Sequence, residues 1–249
     1  MRVVFALALA ATCSGCVTNE SVRFQAKAQQ EALVRDGNPA LVSRKKNSLV
    51  LIRPASRQFA SGARPIYVVG IYNLSPGPVE FWVADIEATQ VVNGQSAALK
   101  VITYEQLVTE ERNRQIMSAV LVGVAAGANA YSASQAGRYS ANSTVTTPRG
   151  NTYEVRTTGY SPTANAIAQS RAAAQNEAMI GAAIETGQRN MAVLERAVIK
   201  DNTLLPGEWY GGQLHLQPLA SDAGEKTYSI ALMVGNERHE IDVVQEAAQ

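Results

Sequence analysis

Side chains suited to acid–base or metal chemistry are scarce in this chain. Its two histidines, His215 and His239, have no metal-binding residue at ligand spacing. Both occupy polar positions in alternating stretches, so we expect them to face solvent. Glu110 and Glu111 are adjacent and would point to different sides of a helix, which excludes them as a paired acid and base. Since the usual nucleophile, phosphate-loop and dinucleotide motifs are also missing, the sequence predicts a protein that is not an enzyme.

Covalent chemistry is indicated at one residue, Cys16. Met1-Arg2 carries a positive charge, Val3 to Ala11 is apolar, and small residues precede the cysteine. This layout is typical of a secretory signal peptide, because the apolar run is too short to span a bilayer. We therefore predict a signal peptide at 1–15. Ordinary cleavage would leave Cys16 as a plain thiol, and lipidation of this residue is the other outcome.

The residues Thr12-Cys13-Ser14-Gly15-Cys16 resemble the lipobox of Gram-negative bacterial lipoproteins, with Cys13 where a Leu-like residue is usual. The resemblance implies a diacylglyceryl thioether on Cys16 and an acyl chain on its amine, with no other cofactor. Three acyl chains exceed what stable attachment to a lipid bilayer requires. By the sorting rule of enterobacterial lipoproteins, Val17 in place of Asp favours the outer membrane. The protein would then face the periplasm.

Charge and cysteine usage narrow the possible partners. The chain has 22 basic and 21 acidic residues and no basic stripe, so nucleic acid is not a predicted partner. Cleavage before Cys16 removes Arg2 and leaves 21 of each sign. The mature chain has no second cysteine, which excludes an intramolecular disulfide. Packing alone must stabilise the fold.

The stretches 48–103 and 201–246 are typical of antiparallel strands. Ile66 to Tyr72 is rich in β-branched and aromatic residues. Asn93-Gly94 between apolar runs predicts a type I′ hairpin, and Tyr228 to Val234 alternates with period two before another two-residue turn. We predict an α+β fold in which both stretches form one Ig-like antiparallel β-sandwich interrupted by an insertion. Two small β domains are the alternative.

The segment 16–47 lies between the predicted anchor and the strands. Glu20 to Arg35 is polar and rich in helix-forming residues, and Asp36-Gly37-Asn38-Pro39 is a helix stop signal. We predict a partly helical spacer. Arg44-Lys45-Lys46 could touch anionic headgroups, although a solvated loop end is the favoured interpretation.

The segment 104–200 is predicted to be an inserted helical hairpin with a Ser/Thr/Gly-rich tip loop at 135–161. Apolar residues recur every three or four positions in each helix, which predicts a coiled-coil-like seam. The predicted seam residues are Met117, Leu121, Val124, Ala128 and Tyr131 in the first helix, and Ile180, Ile184, Gly187, Met191, Leu194 and Val198 in the second. The tip either forms a marginal β-hairpin or is disordered.

The first helix has a second apolar face that a two-helix hairpin would leave uncovered. It contains Ile116, Val120, Gly123 and Gly127. The spacing of the two glycines either marks a dimer face or permits close packing in a soluble helix. We predict that the β body, a second copy, another envelope protein or a membrane covers this face. The leading function is therefore structural or protein-interacting, with homo-oligomer formation as one outcome.

Three aromatic residues suggest an alternative function. Trp82, Trp209 and Tyr210 could stack on a glycan or a peptidoglycan fragment, although core or sheet-surface packing is the commoner role of such residues. The stretch Leu204 to Gly212, which follows an Ala-rich helix, resembles uncharacterised envelope lipoproteins of Gram-negative bacteria. That resemblance implies no activity. A glycan-binding module is therefore the second hypothesis.

Overall fold

The computed structural model describes residues 19–35, 37–217 and 225–247. The predicted signal peptide at 1–15 and the predicted lipidation site Cys16 lie outside these residues. The described chain is α+β, with sixteen strands in antiparallel sheets and two α-helices. It divides into two compact units. We call Met1–Gln106 with Glu195–Gln249 the β unit, and Leu107–Leu194 the helical unit.

The elements follow one another along the chain with short connections. They are β1 (Asn19–Gln25), β2 (Gln30–Arg35), β3 (Asn38–Arg44), β4 (Ser48–Pro54), β5 (Gln58–Ala60), β6 (Ile66–Asn73), β7 (Val79–Phe81), β8 (Glu87–Val92), β9 (Gln95–Leu99), β10 (Val101–Ile102), α1 (Tyr104–Gln135), β11 (Arg138–Thr146), β12 (Thr152–Tyr160), α2 (Pro162–Ala197), β13 (Asn202–Leu204), β14 (Trp209–Leu216), β15 (Lys226–Val234) and β16 (Glu237–Ala247). A 3-10 helix, Val83–Asp85, follows β7.

Two six-stranded sheets dominate the β unit. Their strand orders are β5-β1-β16-β15-β8-β9 and β10-β14-β6-β4-β3-β2, while β7 pairs separately with β13. Alternating side chains of both sheets belong to one hydrophobic cluster, for example Val69 and Ile71 from β6 with Ile230 from β15. Burying each such side chain contributes about 1.5–3 kcal/mol, so this cluster is the main source of stability in the β unit.

Both hairpins predicted from their turn residues are confirmed. Val92 pairs with Gln95 across Asn93 (φ 51°) and Gly94 (φ 77°), and a type I′ turn requires a positive φ at both positions. The second hairpin joins β15 to β16, where Val234 pairs with Glu237 across a two-residue turn. Local turn chemistry therefore set the register of these strands.

The prediction of a partly helical spacer at 16–47 is wrong where the structure describes the segment. It contains β1, β2 and β3, and β1 pairs with both β16 and β5. Val22 and Phe24 are buried in β1, whereas Arg23 and Gln25 are exposed. The segment has helix-forming residues but no apolar repeat near 3.6, so sheet pairing overrides its weak helical propensity.

Two glycines of β14 lie where neighbouring backbone leaves no room for a side chain. A Cβ on Gly211 would overlap the Val69 carbonyl oxygen of β6. A Cβ on Gly212 would lie 2.6 Å from the Ile199 amide nitrogen. Because the obstacles are backbone atoms rather than flexible side-chain ends, a methyl group at either position requires a strand to move.

We expect Gly211→Ala to lower the free energy of unfolding by about 1–3 kcal/mol, the usual cost of overpacking. Urea unfolding followed by circular dichroism measures this change. Gly77→Ala is the matched control, since nothing lies within 4 Å of its added methyl group. An unchanged unfolding midpoint for Gly211→Ala would contradict the prediction.

Candidate interaction surface

The helical unit consists of α1 and α2, which run antiparallel, with the β11–β12 hairpin between them in sequence. The predicted start of α2 is confirmed, because the Ala164 amide donates to Ser161 Oγ (3.3 Å) and Pro162 is the first helical residue. Side-chain amides join the helices at three levels: Gln115 to the Gly187 carbonyl (3.1 Å), Asn129 to the Asn176 side-chain oxygen (3.0 Å), and Asn165 to the Ala133 carbonyl (3.0 Å).

The seam between the two helices is made mostly of polar and small residues. In α1 the buried and half-buried positions recur every three or four residues: Glu111, Gln115, Ser118, Val122, Ala126, Asn129 and Ala133. In α2 they include Asn165, Ala168, Ala172, Asn176, Met179, Ala183, Gly187 and Asn190. Small residues let the helix axes approach, and the amides satisfy one another across the seam.

The predicted seams are therefore largely wrong. Met117, Leu121 and Val124 are 62–68% exposed, and Ile180 and Ile184 of α2 are exposed as well. Gly187 is buried and bonds Gln115 of α1, and Met191 and Leu194 are half-buried. The large apolar set of α1 and the set that faces α2 share the same spacing, so periodicity alone could not show which set is the seam. The amide residues, which recur 11 or 14 positions apart in each helix and so lie near one helical face, were the signal for the true seam.

Glu111 is the charged residue that α2 covers. Its side chain is 2% exposed. Gln115 Nε2 and Asn190 Nδ2 each donate to Glu111 Oε1 at 3.1 Å, and Arg114 forms an ion pair with the carboxylate. A groove of about 930 Å³ lies beside this cluster, between the two helices. A buried carboxylate is tolerated only when it is paired, and the Asn190 donor attaches this end of α1 to α2.

Most of the large apolar side chains of α1 lie on its outside. Ile116 is 61% exposed and Val120 is 56% exposed. Nothing lies within 4 Å of a Cβ added to Gly123 or Gly127. The four predicted contact residues thus share one open face with Met117, Leu121 and Val124, and we call this set the α1 surface. No charged residue occurs between 115 and 137.

By length and composition, α1 could cross a membrane. Only 6% of its most apolar 18-residue window is buried. The outside of α2 differs, because it carries the exposed charges Arg171, Glu177, Glu185 and Arg189. The outside of α1 is thus uncharged over residues 115–137, whereas exposed apolar residues of α2 such as Ile180 and Ile184 lie among charges.

The tip segment, for which both a hairpin and disorder were open, forms the β11–β12 hairpin. Nine residue pairs join the strands, from Arg138 with Tyr160 to Thr146 with Thr152. The Thr147 amide donates to the Asn151 carbonyl (2.8 Å) and closes the turn. Every side chain of β11 is exposed.

The histidine predictions are wrong, because both histidines are buried. His239 is 0% exposed, and its ring nitrogens lie 2.8 Å from Ser48 Oγ and 3.0 Å from Ser43 Oγ. Burial lowers the pKa of His239 to about 4. His239 shares its alternation phase with the buried Ile241, which was the available sequence signal. Ser48 also bonds Glu237 but is only 1% exposed, so this cluster holds strands together and is closed to substrate.

His215 is buried because both faces of its strand are covered at that point. It is 7% exposed, between the fully buried Leu214 and Leu216, and its Nε2 lies 3.3 Å from Gln213 Oε1. Among the described residues, no group of three His, Cys, Asp or Glu side chains could hold a metal ion.

No protein-family model matches the chain, and searches of curated proteins and of solved structures find no match.

The three candidate aromatic residues of the β unit have different surroundings. Trp82 is 48% exposed and lines a depression with Asn47, Ser75, Glu80 and Glu237 among others. Trp209, 56% exposed, is not among its lining residues and stacks on Tyr72 with ring centroids 4.8 Å apart.

Tyr210 is engaged by its own chain. Its hydroxyl donates to the Lys200 carbonyl (2.9 Å) and accepts from the Lys200 amide (2.8 Å). Its ring packs near Phe81, with centroids 6.5 Å apart. The depression beside Trp82 therefore offers one aromatic ring rather than the predicted set, and glycan binding stays a prediction.

Proposed function

We propose that this chain is a lipoprotein attached through Cys16 to the outer membrane, facing the periplasm, whose helical unit self-associates through the α1 surface. Its role is structural or protein-interacting. The observation that carries the proposal is the reversed polarity of the helical unit, in which amides, small residues and a carboxylate fill most of the seam while Val120 and its apolar neighbours face outward. A soluble helix pair normally buries its apolar stripe, so the outward stripe indicates a further partner.

Charges on α2 favour a protein surface over lipid as that partner. The hydrogen bonds of the seam hold α2 against α1 between Gln115 and Ala133. Immersing this pair in hydrocarbon would also immerse Arg171, Glu177 and Glu185, and each charge at a bilayer centre costs at least about 2.5–3.5 kcal/mol. A partner that covers α1 alone avoids this cost.

A second copy of the chain fits the α1 surface. The surface is uncharged over residues 115–137, so two copies meet without unpaired charges. Gly123 and Gly127 are open to the outside and let a second helix approach closely. Contact between copies of the chain covers this apolar surface on each copy and needs no further protein.

We also propose that the two six-stranded sheets form an Ig-like antiparallel sandwich that the helical hairpin interrupts. The shared hydrophobic cluster supports the sandwich, and the two chain segments of the β unit support the interruption. Twelve strands exceed the seven of a constant-type Ig domain by five, and β1 to β3 would be three of these additional strands.

Light scattering coupled to size exclusion tests the self-association. We expect the mature chain with Cys16→Ser, which cannot be acylated, to elute as an oligomer. Val120→Glu should weaken association about a hundredfold or more, because burying an unpaired charge costs about 3–5 kcal/mol. Ser170→Glu adds the same charge at an exposed position of α2 and should leave the mass unchanged. A monomer at the highest soluble concentration would overturn the proposal.

A further inference from the structure

The β11–β12 hairpin carries its charged residues on one face only. The register places one set of side chains on the same face: Tyr139, Ala141, Ser143, Val145, Tyr153, Val155, Thr157 and Gly159. This face has no charge. All three charged residues of the two strands, Arg138, Glu154 and Arg156, lie on the opposite face. Such alternation is typical of strands with lipid on one side and water on the other.

The length of the strands matches the thickness of a bilayer. Each strand has nine paired residues. A transmembrane strand tilted by about 45° needs about 9–11 residues, so nine residues fall at the lower end of this range.

Tyrosines stand at both ends of the uncharged face. The Tyr139 ring covers Gly159, its partner across the strands, at the end nearer the helices. Tyr153 lies beside Val145 near the turn, and both tyrosines are more than half exposed. Aromatic residues at the two interfaces flank the apolar band of transmembrane barrels. The rings thus flank Ala141 and Val155 on this face.

The outer edges of this hairpin need further strands. In the described chain, β11 and β12 pair with each other and with no third strand. A two-stranded hairpin is marginal in water, and its open edges are templates for pairing. In lipid every backbone donor and acceptor needs a partner, so strands enter only as a closed barrel.

We infer that the β11–β12 hairpin is a membrane-inserting element, and that hairpins from several copies pair edge to edge into one closed barrel in a lipid bilayer. Each copy contributes two strands, and the face with Val145 and Val155 meets the acyl chains. Glu154 and Arg156 then line a polar interior. The inference rests on the proposed self-association, which supplies the copies.

Single cysteines carrying an environment-sensitive fluorophore test the insertion. The mature chain has no cysteine besides Cys16, whose thiol acylation would block. Ser143→Cys and Val145→Cys are on the lipid face, while Asn142→Cys and Thr144→Cys are on the other. In vesicles of phosphatidylethanolamine and phosphatidylglycerol, we expect quenching by spin-labelled lipid at 143 and 145 and by iodide at 142 and 144. Iodide quenching at all four positions would overturn the inference.

Dye release from the same vesicles supplies a functional readout. We expect Val155→Arg to slow release about tenfold or more, because a charge on the lipid face of a barrel opposes insertion. Asn142→Arg, on the opposite face, should stay within about twofold of the wild-type chain. Equal release by the two variants would contradict the assignment of faces.

Light scattering of the detergent-solubilised wild-type protein separates the two proposals. An oligomer whose four labelled positions all contact water refutes the barrel and leaves self-association through Val120 intact. A monomer refutes both, since a lone hairpin cannot satisfy its edges in lipid. A soluble protein partner on the hairpin edges would appear as iodide quenching at all four sites.

Discussion

Lys226→Met is expected to lower the free energy of unfolding by about 3–5 kcal/mol, because it leaves the buried Glu20 carboxylate without its cation. Lys226 Nζ lies 2.8 Å from Glu20 Oε1, and the two side chains are only 4% and 6% exposed. Gln245 Nε2 donates to the second carboxylate oxygen at 2.5 Å. Methionine retains most of the apolar stem of lysine, so the decrease in unfolding free energy measures the effect of removing the lysine charge. Urea unfolding at pH 7 measures it.

An exposed lysine in the connection after β1 provides the control for this substitution. Lys27 forms ion pairs with Glu240 and Asp242, but its side chain is 42% exposed. Lys27→Met should therefore cost no more than about 1 kcal/mol. If Lys226→Met costs no more than this control, the buried pair is not a major link between β1 and β15.

The same pair also makes stability depend on pH. Burial alone would raise the pKa of Glu20, but hydrogen bonds from Lys226, Ser61 and Gln245 and the Lys226 charge outweigh burial and lower it. A carboxyl whose folded pKa is depressed stabilises the fold above its unfolded pKa. This contribution is lost as the pH falls through the folded pKa. The double substitution Glu20→Gln with Lys226→Met should recover part of the loss at pH 7, since no unpaired charge remains.

Acidification from pH 7 to pH 4 is expected to cost about 3 kcal/mol of unfolding free energy through His239 alone. Burial is the largest effect and lowers the pKa of His239 from 6.5 to about 4. The negative charge of Glu237 raises this pKa only in part, and the positive charge of Lys45 lowers it further. The unfolded chain binds a proton near pH 6.5, whereas the folded chain does so only near pH 4. Stability is therefore constant above about pH 6.5 and falls between these values.

Urea unfolding at several pH values measures this slope. His239→Gln keeps a polar side chain between Ser43 and Ser48 but cannot titrate, so its stability should change less between pH 6.5 and pH 5. The variant should be less stable than the wild type at pH 7, because a buried hydrogen bond is lost. Equal slopes for the two proteins would show that the pKa of His239 is the same in the folded and the unfolded chain, which would contradict the prediction.

Local sequence signals predicted the elements whose geometry depends on neighbouring residues. Asn93-Gly94 can adopt the positive φ of its turn without help from the rest of the chain. Ser161-Pro162 likewise starts α2 through a contact three residues away. The two long helices were predictable because an Ala-rich sequence carries its own helical propensity.

The strands β1 to β3 could not be predicted in this way. β1 pairs with β16, more than 200 residues further along the chain, and a single sequence contains no record of that pairing. The burial of Lys226 and Glu20 has the same origin, since their ion pair joins residues 206 positions apart. Contacts between residues so far apart in the sequence decide both which segments become strands and which charges become buried.

For the candidate site, the sequence by itself determined that α1 has two apolar faces and that Ile116, Val120, Gly123 and Gly127 share one of them. Only the tertiary structure decided that both apolar faces point outward, because amides such as Asn176 form hydrogen bonds across the seam that apolar side chains cannot supply. Helical periodicity states which residues lie together, but not what they face. Which face of α1 packs against α2 depends on the side chains that α2 offers, here amides and small residues.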